Sequence, residues 1–199
     1  MNLYLFNGPP GSGKDTAGKM LSQILQDSGG KVRMLKFSMP LKLATHSIMA
    51  IFNGTPKIEG PDTFEGPVKD VALESFFGVS PRQAYITLSE KFAKGLWGPG
   101  FFGELMARQV AKAREDGMDH VIITDCGFKA EIQTLMDIVE IGDAFMLHMH
   151  RDGCDFSNDS RGYVTLPELT TVDIHNHGSK SRLRTELLKF VESTVGVKN

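Results

Sequence analysis

With 199 residues the chain has room for one α/β domain with a full apolar core, held without disulfides or metals. Hydrophobic residues at 41% and charged residues at 23% are an ordinary soluble balance, and no apolar stretch is long enough to span a bilayer. A formal net charge of −2 lacks the basic excess of duplex-binding proteins, so nucleic acid is not an expected partner. Two cysteines, Cys126 and Cys154, fit a reducing cytoplasm better than a disulfide framework.

Leu3 to Phe6 is a short apolar run ending in glycine, which reads as a buried parallel strand rather than a signal peptide. Gly13 to Gln26 reads as a helix, with Leu21, Ile24 and Leu25 on one face and Gly29-Gly30 as its stop. Val32 to Phe37 is a second strand, and Pro40 opens a helix to about Phe52. Asn53 to Pro67, with three prolines and three glycines, reads as a surface loop.

Ser80-Pro81 is a helix start, serine as cap and proline at the first position, for a helix to about Lys94. Gly95 to Gly103 is a connection, and Glu104 to Glu115 a helix. Val121 to Asp125 is the clearest buried strand. A helix from Ala130 to Val139 and a strand from Ala144 to Met149 follow. Arg151 to Leu169 is polar and irregular, a lid candidate. A short strand at Val172 to His175 and a helix from Ser179 to Ser193 close the chain. The alternation predicts a single α/β domain: a parallel sheet between helices on both faces, in three layers.

The chemistry starts at Gly8-Pro9-Pro10-Gly11-Ser12-Gly13-Lys14, the G-x-x-x-x-G-K spacing of a P-loop between a strand and a helix. Glycines let the backbone curl its N–H groups around phosphates, and the helix N-terminus adds partial positive charge. Gly11, Ser12, Gly13, Lys14, Asp15 and Thr16 are therefore expected to hold the phosphates of ATP, with Lys14 as a point charge. The residue after the lysine is usually Ser or Thr. Here it is Asp15, with Thr16 next. An acid beside phosphate oxygens needs a cation between them, so Asp15 is an expected Mg²⁺ ligand, or else a first-turn acid favoured by the helix dipole.

Asp125 ends a central strand beside the loop. It could hold magnesium through water or orient Thr16, or else cap the next helix. Within the lid candidate, about 151–170, Arg151 and Arg161 flank a stretch rich in Asp, Asn, Ser and Gly. As part of a closing lid they would bring charge to the transferring phosphoryl group and exclude water. Trp97 and Tyr85 could stack on a base, and Phe37 could pack against an acceptor. His148/His150 and His175/His177 share strand faces but lack the further ligands of a zinc site.

Several blocks resemble the phage deoxynucleoside monophosphate kinases. They are Gly13-Lys14-Asp15-Thr16, Phe37-Ser38-Met39-Pro40-Leu41-Lys42, Ser80-Pro81-Arg82-Gln83, and Ile123-Thr124-Asp125 with Phe128 and Glu131. The turn Asn176-His177-Gly178-Ser179 resembles one shared with dephospho-coenzyme A kinases. The resemblance implies transfer from ATP, with Mg²⁺, to a deoxynucleoside monophosphate. It puts Lys42, Arg82 and Glu131 in the acceptor site, makes a homodimer plausible, and implies a host cytoplasm if the chain is phage-encoded. An acceptor-binding insertion would span about 38–103. Two positions depart from the pattern: Gly127 stands where the family has arginine, and His177 where it has aspartate. A kinase for dephospho-coenzyme A or for a modified base in DNA, and a nucleotide-binding module without transfer, are the rival readings.

Overall fold

A computed structural model of the chain describes residues 1–55, 57–140, 142–157, 159 and 161–194. Five parallel strands form one sheet in the order β2-β3-β1-β4-β5: β1 Asn2–Asn7, β2 Val32–Leu35, β3 His120–Cys126, β4 Ala144–His150 and β5 Thr170–His175. Leu3 pairs with Val121 on one side and Ala144 on the other, so β1 lies in the middle of the sheet.

Both faces of the sheet are covered, which explains why its central strands read as unbroken apolar runs. Leu3 and Leu5 point to one face, where α5 (Phe101–Glu115) and α6 (Lys129–Ile138) bring Phe102, Met106, Val110, Ile132 and Leu135. Tyr4 and Phe6 point to the other. There α1 (Lys14–Asp27) and α7 (Lys180–Thr194) supply Leu21, Ile24, Leu25, Leu183, Leu187 and Phe190. Each such side chain contributes about 1.5–3 kcal/mol by leaving water. Gly18 lets α1 lie close on β3, because a Cβ there would collide with the Thr124 methyl group. That contact sets the distance between the loop before α1 and the end of β3.

The remaining helices stand over the carboxyl ends of the strands. α2 (Ser38–Phe52) follows β2, and a 3₁₀ turn at Gly66–Asp70 ends the segment read from sequence as loop. Ser80 caps α3 (Pro81–Ile86) as expected. Its hydroxyl accepts from Gln83 N at 3.2 Å, and the Gln83 side chain accepts from Ser80 N at 3.2 Å. The helix read as continuous to Lys94 changes pitch: a π-helical stretch, Thr87–Ala93, separates α3 from α4 (Lys94–Trp97).

Three boundaries differ from the sequence reading. β2 stops at Leu35, not Phe37, and α2 starts at Ser38, before Pro40. Both shifts have one cause: the Asp125 carboxylate takes the amides of Phe37 and Ser38 and turns the chain there. The connection read as Gly95 to Gly103 shrinks to Gly98–Gly100, because residues on either side are helical.

Candidate phosphoryl-transfer site

β1 delivers the chain to Gly8 at the centre of the sheet, where crossovers leave to both sides and a crevice opens. Gly11 (φ 77°) and Gly13 (φ 95°) take left-handed backbone conformations that let the loop curl. Asn176 donates to Ser12 O at 2.9 Å, which turns the Gly13 N–H to the opposite side of that planar peptide. A Cβ on Gly13 would stand 2.5 Å from the Asn176 amide nitrogen, so glycine is required there. Arg151 donates to Gly11 O at 3.0 Å from outside the loop. The Ser12 hydroxyl is buried and has no hydrogen-bond partner among the described residues. At the start of α1 the first internal bond is Ala17 N to Gly13 O, which leaves the amides of Lys14, Asp15 and Thr16 without intrahelical partners, as an anion site requires.

Lys14 Nζ donates to Gly8 O at 2.7 Å and Pro9 O at 2.8 Å, folded across the loop. Burial lowers its pKa, and repulsion from Arg161 adds to that. Carbonyl oxygens are weaker partners for an ammonium than phosphate oxygens. These features fit a chain of phosphates held by residues 11–16.

Asp15 stands at the cradle's rim. Thr124 Oγ1 donates to it at 2.5 Å, and Lys36 Nζ lies 3.1 Å away. Burial works against its ionised form, but the Thr124 hydroxyl and the Lys36 ammonium outweigh burial and hold the carboxyl below its ordinary range. An ionised, half-exposed carboxylate beside the loop suits a hard divalent cation, which would take its other oxygens from phosphates and water.

Asp125 is committed differently. Its Oδ1 accepts from Phe37 N at 2.8 Å, and its Oδ2 from Ser38 N at 3.0 Å and Ser38 Oγ at 2.7 Å. It caps α2 from across the sheet. The sequence reading put such a cap on the next helix; the structure puts it on α2, 87 residues earlier in the chain. Orientation of Thr16 by Asp125 is not observed; the hydroxyl that meets an acid here is that of Thr124, on Asp15. A carboxylate has about four acceptor directions, so one stays open on Asp125 toward a cation-bound water.

Beside the cradle lies a cavity of about 490 Å³. One part of its wall is cationic: Lys36, Lys42, Lys69, Arg82 and Arg161. Each cation is held by an acid. Lys42, buried at 7% exposure, pairs with Glu65 at 2.5 Å, and Lys69 reaches the same carboxylate at 3.7 Å. Arg82 forks onto Asp70, and Arg161 forks onto Asp159. The Asp159 carboxylate raises the Arg161 pKa further, and Asp70 does the same for Arg82. Arg161 is close enough to both Lys14 and Arg82 to repel each electrostatically, so cations run from the loop into the cavity.

Another part of the wall is aromatic and apolar, from Phe37, Leu41, Tyr85, Phe102 and Phe128. Tyr85 is fixed from behind by His46, whose Nε2 is 2.7 Å from the phenol oxygen while its Nδ1 is 3.0 Å from Glu59 O. Glu131, Glu90 and Ser89 complete the lining. Burial raises the Glu131 pKa to about 7, against the opposing pull of Lys94 at 3.1 Å.

The structure thus gathers Asp15, Phe37, Lys42, Arg82, Asp125, Glu131 and Arg161 on one cavity beside the loop. Trp97 does not join them. Its ring stacks on Phe101 at 4.6 Å and meets Phe92 edge-on at 5.5 Å, on the half-exposed outer side of α4. Lys36, Glu65, Lys69, Ser89, Glu90 and Asp159 were missed from sequence. Only Lys36 carried a signal, as the polar residue at the carboxyl end of a strand.

No protein-family model and no curated protein matches the chain. Among solved structures, a sugar kinase from Janibacter sp. is similar at TM-score 0.50 and 11% identity, covering 100% of this chain and 98% of its own. A gluconokinase from Sinorhizobium meliloti (TM-score 0.43, 10% identity, covering 98% of this chain and 96% of its own) and a shikimate kinase from Acinetobacter baumannii (TM-score 0.41, 10% identity, covering 98% and 93%) are more remote and carry no argument. The chain shares with that sugar kinase structure an α/β fold, here a five-strand parallel sheet flanked by helices with a strand–loop–helix cradle at its centre.

Proposed function

We propose that the protein transfers the γ-phosphoryl group of ATP to a deoxynucleoside monophosphate, giving ADP and the diphosphate. One observation carries this reading: a single cavity beside the cradle has both a cationic wall and an aromatic wall. An acceptor matching it has a multiply charged anionic end and a flat apolar body, which is the build of a nucleotide.

The acids nearest the loop support an acceptor that arrives already ionised. Asp15 is taken up by Thr124 and Lys36, and Asp125 chiefly by Phe37 and Ser38, so both are better placed to hold a cation than to serve as a base toward a sugar hydroxyl. A phosphate oxygen needs no such base, only positioning and neutralisation of charge. Arg82, Arg161 and Lys42 would exchange their carboxylate partners for the acceptor's oxygens, with the arginines gripping through two N–H groups. Lys14 would leave the carbonyls of Gly8 and Pro9 for the donor phosphates. Asp15, and Asp125 through water, would hold Mg²⁺, which when bound supplies charge neutralisation at the phosphoryl oxygens. Arg151 and Arg161, within the segment 151–170, would shield the reacting groups from water.

Labelled ATP incubated with Mg²⁺ and each deoxynucleoside monophosphate tests the reading. A labelled diphosphate is expected with at least one acceptor. Label released only as inorganic phosphate, at a rate no acceptor changes, would overturn it.

A further inference from the structure

The part of the acceptor cavity formed by Ser89, Glu90 and Glu131 is chemically unlike the cationic wall. Glu131 is 95% buried by fold, with 5% of its surface exposed, yet it lines the cavity. Lys94 Nζ lies 3.1 Å from its Oε1 and 2.9 Å from Oε1 of Glu90, and the Ser89 hydroxyl donates to the same Glu90 oxygen at 3.1 Å. Lys94 is itself packed over the Phe128 ring, 3.8 Å from its centroid, and does not line the cavity. Lys94 is the donor that the structure shows at Glu131. The polar groups that this end offers a ligand are the carboxylate oxygens and the Ser89 oxygen, whose proton goes to Glu90, and all of these accept hydrogen bonds.

The helix pitch puts them there. The π-helical stretch Thr87–Ala93 widens the turn that carries Ser89 and Glu90, so these residues face the cavity while Lys94 faces Glu131. Flanking Phe102 and Phe128 supply apolar surface for a ring.

Resting on the proposed kinase reading, we infer that Glu131 and Glu90 select an acceptor whose base carries an exocyclic amino group and reject thymine and uracil. Adenine, cytosine and guanine each bring an N–H₂ donor to a carboxylate. Thymine and uracil flank their one ring N–H with two carbonyl oxygens, which would face the carboxylates without a proton between them. Leaving a buried carboxylate opposite a carbonyl forfeits a charge-assisted hydrogen bond and adds repulsion.

The test compares kcat/KM for dAMP, dCMP, dGMP, dTMP and dUMP at saturating ATP and about pH 8.5, where Glu131 is ionised, with wild type, Glu131→Gln and Glu90→Gln. The dCMP and dUMP pair isolates the exchange of amino group for carbonyl. In the wild type the best amino-bearing acceptor should exceed both dTMP and dUMP by about tenfold or more. Glu131→Gln, whose amide can donate to a carbonyl, should shrink the dCMP-to-dUMP ratio several-fold through KM, while the KM for ATP stays unchanged. Glu90→Gln, at a half-exposed carboxylate, should shrink it less. Equal or better use of dTMP or dUMP by the wild type, or a ratio unmoved in Glu131→Gln, overturns the inference while the kinase reading stands. If no acceptor is phosphorylated at all, the kinase reading itself fails and takes this inference with it.

Discussion

Arg161 lies across Gly127: a Cβ on residue 127 would collide with Cδ of the Arg161 side chain. Position 127 is where the sequence departs from the arginine of the resembling kinases. The structure brings the guanidinium of Arg161, from the segment after β4, to this side of the cavity. Glycine at 127 is what gives that arginine its path, since any side chain there would occupy the same space.

Gly127→Ala should therefore act through Arg161. We expect kcat/KM for the acceptor to fall about tenfold, with Arg161→Ala falling at least as far and the double variant no further than Arg161→Ala alone. A double-mutant cycle on acceptor kinetics checks this; additive losses would show that the two positions act separately.

Lys14→Ala removes the charge that spans the loop. Transfer should drop by at least about 100-fold, while circular dichroism and the melting profile keep a folded protein. Retained turnover would remove the cradle from the mechanism.

Asp125→Ala should cost both stability and acceptor binding. Losing the cap on α2 is worth about 1–2 kcal/mol in urea unfolding. Freed of that cap, Phe37 and Ser38 lose their fixed place in the cavity wall, so the acceptor KM should rise. Asp125→Asn, which keeps acceptor oxygen for one amide, should recover part of both. A loss of turnover at unchanged acceptor KM would point to magnesium as its main role.

Arg82→Ala should raise the acceptor KM about tenfold and leave ATP affinity unchanged, since Arg82 lines the acceptor cavity and its hydrogen bonds among the described residues go to Asp70, not to the phosphate loop. Isothermal titration with ATP and steady-state kinetics with the acceptor separate the two.

Glu131 gives a pH dependence with a definite sign. Its pKa is raised to about 7 in the folded protein from 4.5, chiefly by burial. The folded state thus binds more protons than the unfolded one between these values. Its contribution to stability is fully present below about pH 4.5 and is lost as pH rises through about 7. Urea unfolding at pH 5 and pH 8 should show a smaller loss on raising pH in Glu131→Gln than in wild type. An equal loss would mean that Glu131 titrates normally.

The cradle was legible because its requirements are local. Gly8 to Lys14 are consecutive, and the conformations that glycine permits, the helix N-terminus and the lysine all follow from adjacent residues. The strands were legible for a similar reason, since burial on both faces writes itself into sequence as runs such as Val121-Ile122-Ile123. Lys42, Arg82 and Glu131 were reachable only through resemblance, because a charged residue on a helix looks the same whether it faces water or a cavity.

What the tertiary structure alone decided is which distant residues share that cavity. The capping of α2 by Asp125 spans 87 residues, and the Thr124 bond to Asp15 spans 109. Arg161 over Gly127, Glu65 between two lysines, and the outward turn of Trp97 depend likewise on how helices settle on the sheet. Local sequence sets the conformation of the phosphate loop, but long-range packing sets which charges stand opposite one another, and the identity of the acceptor lies in that second arrangement.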